Sequence, residues 1–355
     1  MRTWSFRRQF LLRSAADPLV ALRRVIAVHN THPPAPLSLL ARTSGLSYDV
    51  FEALEQQRLA ISLPVMRGSV HLMATEDAPW IFAATRENGE KLIKRVTSRV
   101  GDRRSFDDYR AKLLPMLSDP VPGANIRESL GIDEEEFLAI RLMTRSGEVL
   151  RLSTNPRSDR LQYVATEAWL GKPLPKVDRH TALVRLAAAY FDAFGPARVK
   201  DFSWWTGLTQ QEVKPAIEQL ALLDVGDGLL LPPELKPAFK TVEPLEPTSF
   251  ALLPKWDSYT MGYAPDGRQR FVDDAHASMA YTNKDTRVGA TTGDGLPLIL
   301  QNGRAIASWS HRFSGKKMSV EIALFPGETV DREDVAERFE EVANLMACDT
   351  ATLKH

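Results

Sequence analysis

The side chains best suited to chemistry in this chain stand in one short run. It reads Ala27-Val28-His29-Asn30-Thr31-His32 and is closed by Pro33-Pro34. The run sets two imidazoles, a carboxamide and a hydroxyl side by side. A neutral imidazole accepts a hydrogen bond at one ring nitrogen, donates at the other, and titrates near working pH. His29 and His32 stand three residues apart, a spacing that invites a metal reading. No His-Glu-x-x-His and no third ligand stands near, and Pro33 breaks a helix at that point, so no metal is expected. Two readings stay open: a cap or loop without chemistry, and a site that positions a water or contacts a substrate.

Other candidates lie further along. Arg67, Ser69 and His71 fall between two short apolar segments that predict a hairpin turning at Arg67-Gly68. Arg67 there suits contact with a phosphate or the minor groove, and the plainer alternative is an exposed hairpin with His71 satisfied by backbone. Trp256, Asp257 and Tyr259 could line a cleft, with Asp257 facing a positive charge or serving as a cap. Trp204 and Trp205 could stack on bases, at least one of them being core. Arg95, Arg99, Arg103 and Arg104 could track phosphates or face solvent.

The elements that would position these residues follow from a threefold pattern. Gly45-Leu46-Ser47, Gly131-Ile132-Asp133 and Gly207-Leu208-Thr209 each put a helix-capping residue two after a glycine, at spacings of 86 and 76 residues. The glycine closes one helix at positive φ and the cap oxygen accepts N–H groups of the next. Each copy predicts a helix-turn-helix, and an apolar hairpin after it would complete a winged helix. Helices are expected over Leu19–His29, Leu37–Arg42, Ser47–Gln57, Phe106–Leu117, Asp133–Thr144, His180–Phe194, Arg198–Trp205 and Thr209–Leu223. From about Val242 the pattern turns to strands, with Asn302-Gly303 as a hairpin signal, and Arg332–Met346 closes as an amphipathic helix. The expected fold is mainly α with β: three tandem winged-helix units over 1–100, 101–175 and 176–241, then a β-barrel-like module over 242–355.

Bulk properties narrow the function. Lys plus Arg and Asp plus Glu both number 45, so net charge is zero. Residues 1–100 carry 14 basic against 8 acidic side chains, while 201–355 carry 15 against 23. The basic N-terminal part could meet phosphates with the acidic part turned away. No apolar run reaches membrane-spanning length, so no membrane partner is expected. The single Cys348 forms no internal disulfide and suits a reducing cytoplasm. Arg7-Arg8 superficially matches a twin-arginine signal, but charged residues follow where an apolar stretch is required. No Walker loop, Gly-x-Gly-x-x-Gly or Gly-x-Ser-x-Gly occurs, so no cofactor is expected.

Three stretches together resemble the winged-helix DNA glycosylases related to the azinomycin-resistance enzyme, the AlkZ-like family. They are Val65-Met-Arg-Gly-Ser-Val-His-Leu72, then Phe194-Gly-Pro196 through Asp201-Phe202 to Trp205-Thr-Gly-Leu208, then Leu252-Leu-Pro-Lys-Trp-Asp-Ser-Tyr259 with Gly262-Tyr263 and Asn302-Gly303-Arg304 to Trp309. The resemblance implies three winged helices around a cleft for damaged double-stranded DNA. It also implies metal-free, monofunctional hydrolysis of the N-glycosidic bond of N-alkylated or crosslinked purines by a monomer. The family's Gln-x-Gln motif aligns with His29-Asn30-Thr31, so His29 and Thr31 take the catalytic positions. Asn30, His32, Arg67, Ser69, His71, Trp256, Asp257, Tyr259 and Arg304 take DNA-contacting ones. The replacement of both glutamines keeps a second reading alive: a non-catalytic DNA-binding protein, either a regulator or a lesion-binding shield. A remodelled cleft that binds a small molecule is a third.

Overall fold

The computed structural model describes residues 1–30, 34–86, 103–153, 155–157, 161–282 and 293–354. Thr31, His32, Arg95 and Arg99 fall outside the described residues. The chain opens with α1 (Arg2–Arg8) and α2 (Pro18–Arg24), the latter capped by Asp17. The helix expected to run on to His29 stops at Arg24. Ile26 turns the chain at φ +70°, and Val28–His29 form a short strand, β1. The β-branched Val28 favours the extended strand, whereas Ile26 takes its left-handed turn against its own preference.

Each glycine of the threefold pattern sits between two helices. The first pair is α3 (Pro34–Leu40) and α4 (Tyr48–Gln56), with Gly45 at φ +67° and the Ser47 hydroxyl accepting from Val50 N. After β2 (Ala60–Pro64), β3 (Val70–Ala74), α5 (Ala78–Thr85), α6 (Arg103–Leu113) and β4 (Val121–Pro122), the second pair is α7 (Ile126–Leu130) and α8 (Glu134–Ser146). Here Gly131 has φ +61°, and Asp133 with Glu136 makes a reciprocal capping box. β5 (Val149–Ser153), β6 (Leu161–Ala165), α9 (Thr166–Leu170) and α10 (Arg179–Phe194) lead to the third pair, α11 (Val199–Thr206) and α12 (Gln210–Ile217). There Gly207 has φ +78°, with a Thr209–Glu212 box. α12 is shorter than the expected Thr209–Leu223, because Leu223–Asp224 leave as β7 to pair with β8 (Leu230–Leu231).

Gly207 also permits a close approach. A Cβ there would lie 3.1 Å from Arg67 Cα, so the third corner packs on the tip of the β2–β3 hairpin. β2 and β3 pair antiparallel, and β1 joins the far side of β3, giving the order β1-β3-β2.

The last part holds α13 (Lys236–Lys240), β9 (Phe250–Leu253), α14 (Ser258–Met261), α15 (Ala277–Ala280), β10 (Leu298–Gln301), β11 (Arg304–Ser314), β12 (Lys317–Leu324), α16 (Arg332–Leu345) and β13 (Thr350–Leu353). Its strands form a five-stranded sheet in the order β13-β12-β11-β10-β9 among the described residues. β13 returns through α16 to pair parallel with β12, which leaves β9 and β13 as opposite edges.

Three clusters make the core. One joins Leu63 of the first hairpin, Tyr190, Phe194 and Trp205 of the third segment, and Tyr259 of the C-terminal part. A second joins Val28, Leu40 and Phe51 to Trp309 and Phe339. The third, with Ile140, Met143 and Tyr163, is built from residues 106–165. No helix among the described residues is long and apolar enough to cross a membrane.

Candidate active site on the first hairpin

Strand pairing sets His29 directly opposite His71. Their rings meet edge-on with centroids 5.3 Å apart, and the His29 ring packs on Trp256 at 4.5 Å. His71 Nδ1 lies 2.9 Å from the Ser69 carbonyl oxygen, which can only accept. In the neutral ring the proton is therefore on Nδ1, and Nε2 keeps the lone pair. Burial pushes His29 down to about 3, helped by the nearby charges that His71 and Lys255 would carry. Burial likewise pushes His71 down to about 4, against the opposing pull of the Ser69 carbonyl. Both imidazoles are therefore uncharged at neutral pH.

Trp256 occupies the left-handed region at φ +61°, strained for a bulky side chain, and donates its backbone N–H to Gly295 O at 3.1 Å. Lys255 Nζ lies 4.0 Å from the centre of the Trp256 ring and 3.8 Å from Asp294. Lys255 also lines an open groove of about 670 Å³ with Pro254, Leu296, Pro297 and Trp309.

Four of the residues read as DNA contacts are placed otherwise. Asp257 is fully buried. The equally buried Arg42 donates to both its oxygens at 2.7 and 2.8 Å, Ser38 donates at 2.7 Å, and Tyr259 N at 2.8 Å. It is a capping and ion-paired residue, with no surface to offer a duplex. Tyr259 is also fully buried, its hydroxyl donating to Gly303 O at 3.2 Å. Asn30 is buried because β1 turns it inward, opposite to His29, where its Nδ2 donates to Ser62 Oγ at 2.6 Å. Arg304 is committed to Asp273 at 2.9 Å and Glu328 at 2.7 Å.

Asp273, His276 and Glu328 form the one group of described residues with metal-ligand spacing. The Arg304 guanidinium already bridges its two carboxylates. Arg67, by contrast, is exposed at the hairpin tip, with its guanidinium 4.3 Å over the Trp204 ring. Trp205 is core, at 6% exposure, while Trp204 is half-buried. Of the sequence-predicted residues, His29, His71 and Trp256 come together, with Arg67 and Ser69 along the same hairpin.

Sequence reasoning missed the support beneath this group. Ser62 Oγ donates to Glu55 Oε1 at 3.3 Å, and Ser153 N donates to Glu55 Oε2 at 3.0 Å. Glu55 thus ties β2, and through Ser62 the Asn30 that follows His29, to the second segment. Burial raises Glu55 to about 7, opposed by the Ser153 and Ser62 hydrogen bonds. A carboxyl whose folded pKa is raised stabilises fully below its unfolded pKa, and that stability is lost as pH rises through the folded value. Glu55→Gln, which mimics the protonated form, is expected to stabilise the protein at pH 8 by up to roughly 3 kcal/mol and to add nothing near pH 4.5. Denaturant midpoints at the two pH values check this, and equal shifts at both would contradict it. The only sequence signals were a lone Arg42 in an apolar helix and an acid on the inward face of α4.

A family model described as DNA glycosylase AlkZ-like matches residues 22–345. Among solved structures, the Streptomyces sahachiroi DNA glycosylase AlkZ is similar at a TM-score of 0.72, covering 99% of this chain and 97% of that one at 18% identity. That identity makes the likeness one of fold. No curated protein matches the chain. The matched span takes in β1, the first hairpin, all three helix pairs and most of the C-terminal sheet. The chain belongs to the DNA glycosylase AlkZ-like family.

Proposed function

We propose that the protein is a metal-free, monofunctional DNA glycosylase. It acts as a monomer and hydrolyses the N-glycosidic bond of N-alkylated or crosslinked purines in duplex DNA. Three tandem winged-helix units, bounded near residues 100, 175 and 241, would form the walls of the DNA cleft. Support for that reading is the three glycine-cap corners, each followed in the chain by an antiparallel strand pair.

The observation that carries the activity is the neutral His29 ring, fixed between His71 and Trp256. An N7-alkylated purine is already cationic and leaves readily, so little proton transfer to the base is needed. The site must hold one water in line and tolerate a sugar that becomes positive. Water oxygen bonds to C1′, the C1′–N9 pair of electrons goes to the purine, and the water's proton passes to solvent. A His29 pKa of about 3 makes the ring a weak base but a good hydrogen-bond acceptor, and its neutrality spares the cationic substrate a repulsion. Thr31, at the family's second glutamine position, would supply the other contact for that water.

The test is release of free base from duplexes containing 7-methylguanine or a purine crosslink. The expected products are free base and an intact abasic strand that breaks only in hot alkali. The replacement of both family glutamines favours one other reading, a non-catalytic DNA-binding protein on the same fold. No release from either substrate, with tight binding of an abasic-site analogue, would decide for that one.

A further inference from the structure

The second segment sets three arginines against the first hairpin. Arg141 and Arg145 stand one turn apart on the same face of α8. Gly147 ends that helix at φ +78° and sends the chain into β5, which carries Arg151. All three line one shallow pocket of about 100 Å³ with Pro64, Gly68 and Val70 of the hairpin. The approach is close: a Cβ on Gly68 would lie 3.3 Å from Arg145 Nη1. The pocket's lining includes no acidic side chain.

Among the described residues, Arg141 and Arg151 have no ion-pair partner. Arg151 donates through Nη2 to the Tyr163 hydroxyl at 3.3 Å, while its Nε is buried with no hydrogen-bond partner among those residues. Converging guanidiniums repel one another, and an oxyanion with several acceptor oxygens relieves that repulsion through charge-assisted hydrogen bonds. The pocket is small and open to solvent, with room for the oxygens of a phosphate. Val70 lines the pocket and adjoins His71, and successive side chains of a strand point to opposite faces. The pocket therefore lies on the opposite face of the hairpin from the His29–His71 pair.

We propose that Arg141, Arg145 and Arg151 form a phosphate-binding pocket for the DNA backbone against the first hairpin, on the face away from the His29–His71 pair. The second segment thereby fixes the register of the strand from which the first segment releases a base. This rests on the reading of the protein as a DNA glycosylase.

The experiment measures duplex affinity across salt for the intact protein, Arg141→Glu, and the double variant Arg141→Gln/Arg151→Gln. Each lost phosphate contact should flatten the slope of log K against log salt by about 0.9. The double variant should bind about tenfold or more weakly at 0.1 M salt, equally for damaged and undamaged duplexes of any sequence. Arg141 is exposed, so Arg141→Glu keeps its melting temperature and reports on binding even where the double variant folds poorly. Unchanged affinity and slope in Arg141→Glu and in the folded double variant overturn the pocket alone. Failure of the intact protein to bind any duplex at low salt overturns the DNA reading with it.

Discussion

Replacing His29 by alanine is expected to slow release of an N7-alkylated base by about 100-fold or more, with duplex affinity changed little. The magnitude follows from the role. A positioned acceptor that orients a nucleophilic water acts in the transition state, so its loss falls on the rate and not on binding. The His29 ring has little freedom: strand pairing fixes its backbone opposite His71, and the Trp256 ring packs against it at 4.5 Å. His29→Gln, which restores the family's residue, should keep release within about tenfold, because a carboxamide oxygen also accepts from water. The pH profile separates this role from that of an ordinary imidazole base. With His29 at about 3 and His71 at about 4, neither ring titrates near 6.5, so the rate should stay flat from pH 8 down to about 5.5. A limb with its midpoint near 6.5 would show a solvent-exposed histidine at work. Single-turnover kinetics at saturating protein give both results. Alanine and wild-type rates that agree within a few-fold would remove His29 from the reaction.

The local grammar of the fold was readable. Gly45, Gly131 and Gly207 all take positive φ, and Ser47, Asp133 and Thr209 all cap the following helix, because these are short-range bargains between a residue and its neighbours. The hairpin about Arg67-Gly68 was readable for the same reason, as was His29 as a residue worth testing. Whatever depends on distant pairing was not. Val28 and His29 continue an apolar helical spacing, yet they become a strand because β3 offers an open edge 42 residues later, at His71. Asn30 and Asp257 look like polar groups offered to a ligand. Their partners, Ser62 and Arg42, are 32 and 215 residues away, and only the fold shows that both are spoken for. The C-terminal strands carry the alternation of any half-buried sheet. Whether such a sheet closes depends on where α16 delivers β13, which strand composition does not encode.

Arg42→Met is expected to destabilise the protein by about 3–5 kcal/mol, which makes it the costliest single substitution considered. Arg42 and Asp257 are both fully buried, so the variant leaves a carboxylate in the interior with only Ser38 and Tyr259 N to hold it. The double variant Arg42→Met/Asp257→Asn should recover most of the loss. It removes the orphaned charge, keeps the Tyr259 N–H bond to Oδ1, lets the new Nδ2 donate to Ser38 Oγ, and replaces the ion pair by a neutral arrangement of similar volume. A loss under about 1 kcal/mol in Arg42→Met, read from denaturant midpoints, would mean that water reaches the pair. The double variant also asks why an ion pair is retained there at all. Asp257 directly follows Trp256, whose left-handed backbone costs about 1–3 kcal/mol and persists only where its surroundings impose it. The bidentate Arg42 clamp, Ser38 and the cap on α14 all pin the residue next to it. A folded double variant that nevertheless releases base more slowly, with Trp256 fluorescence shifted, would show that the pair holds the Trp256 ring against His29. Unaltered release would reduce its role to stability alone.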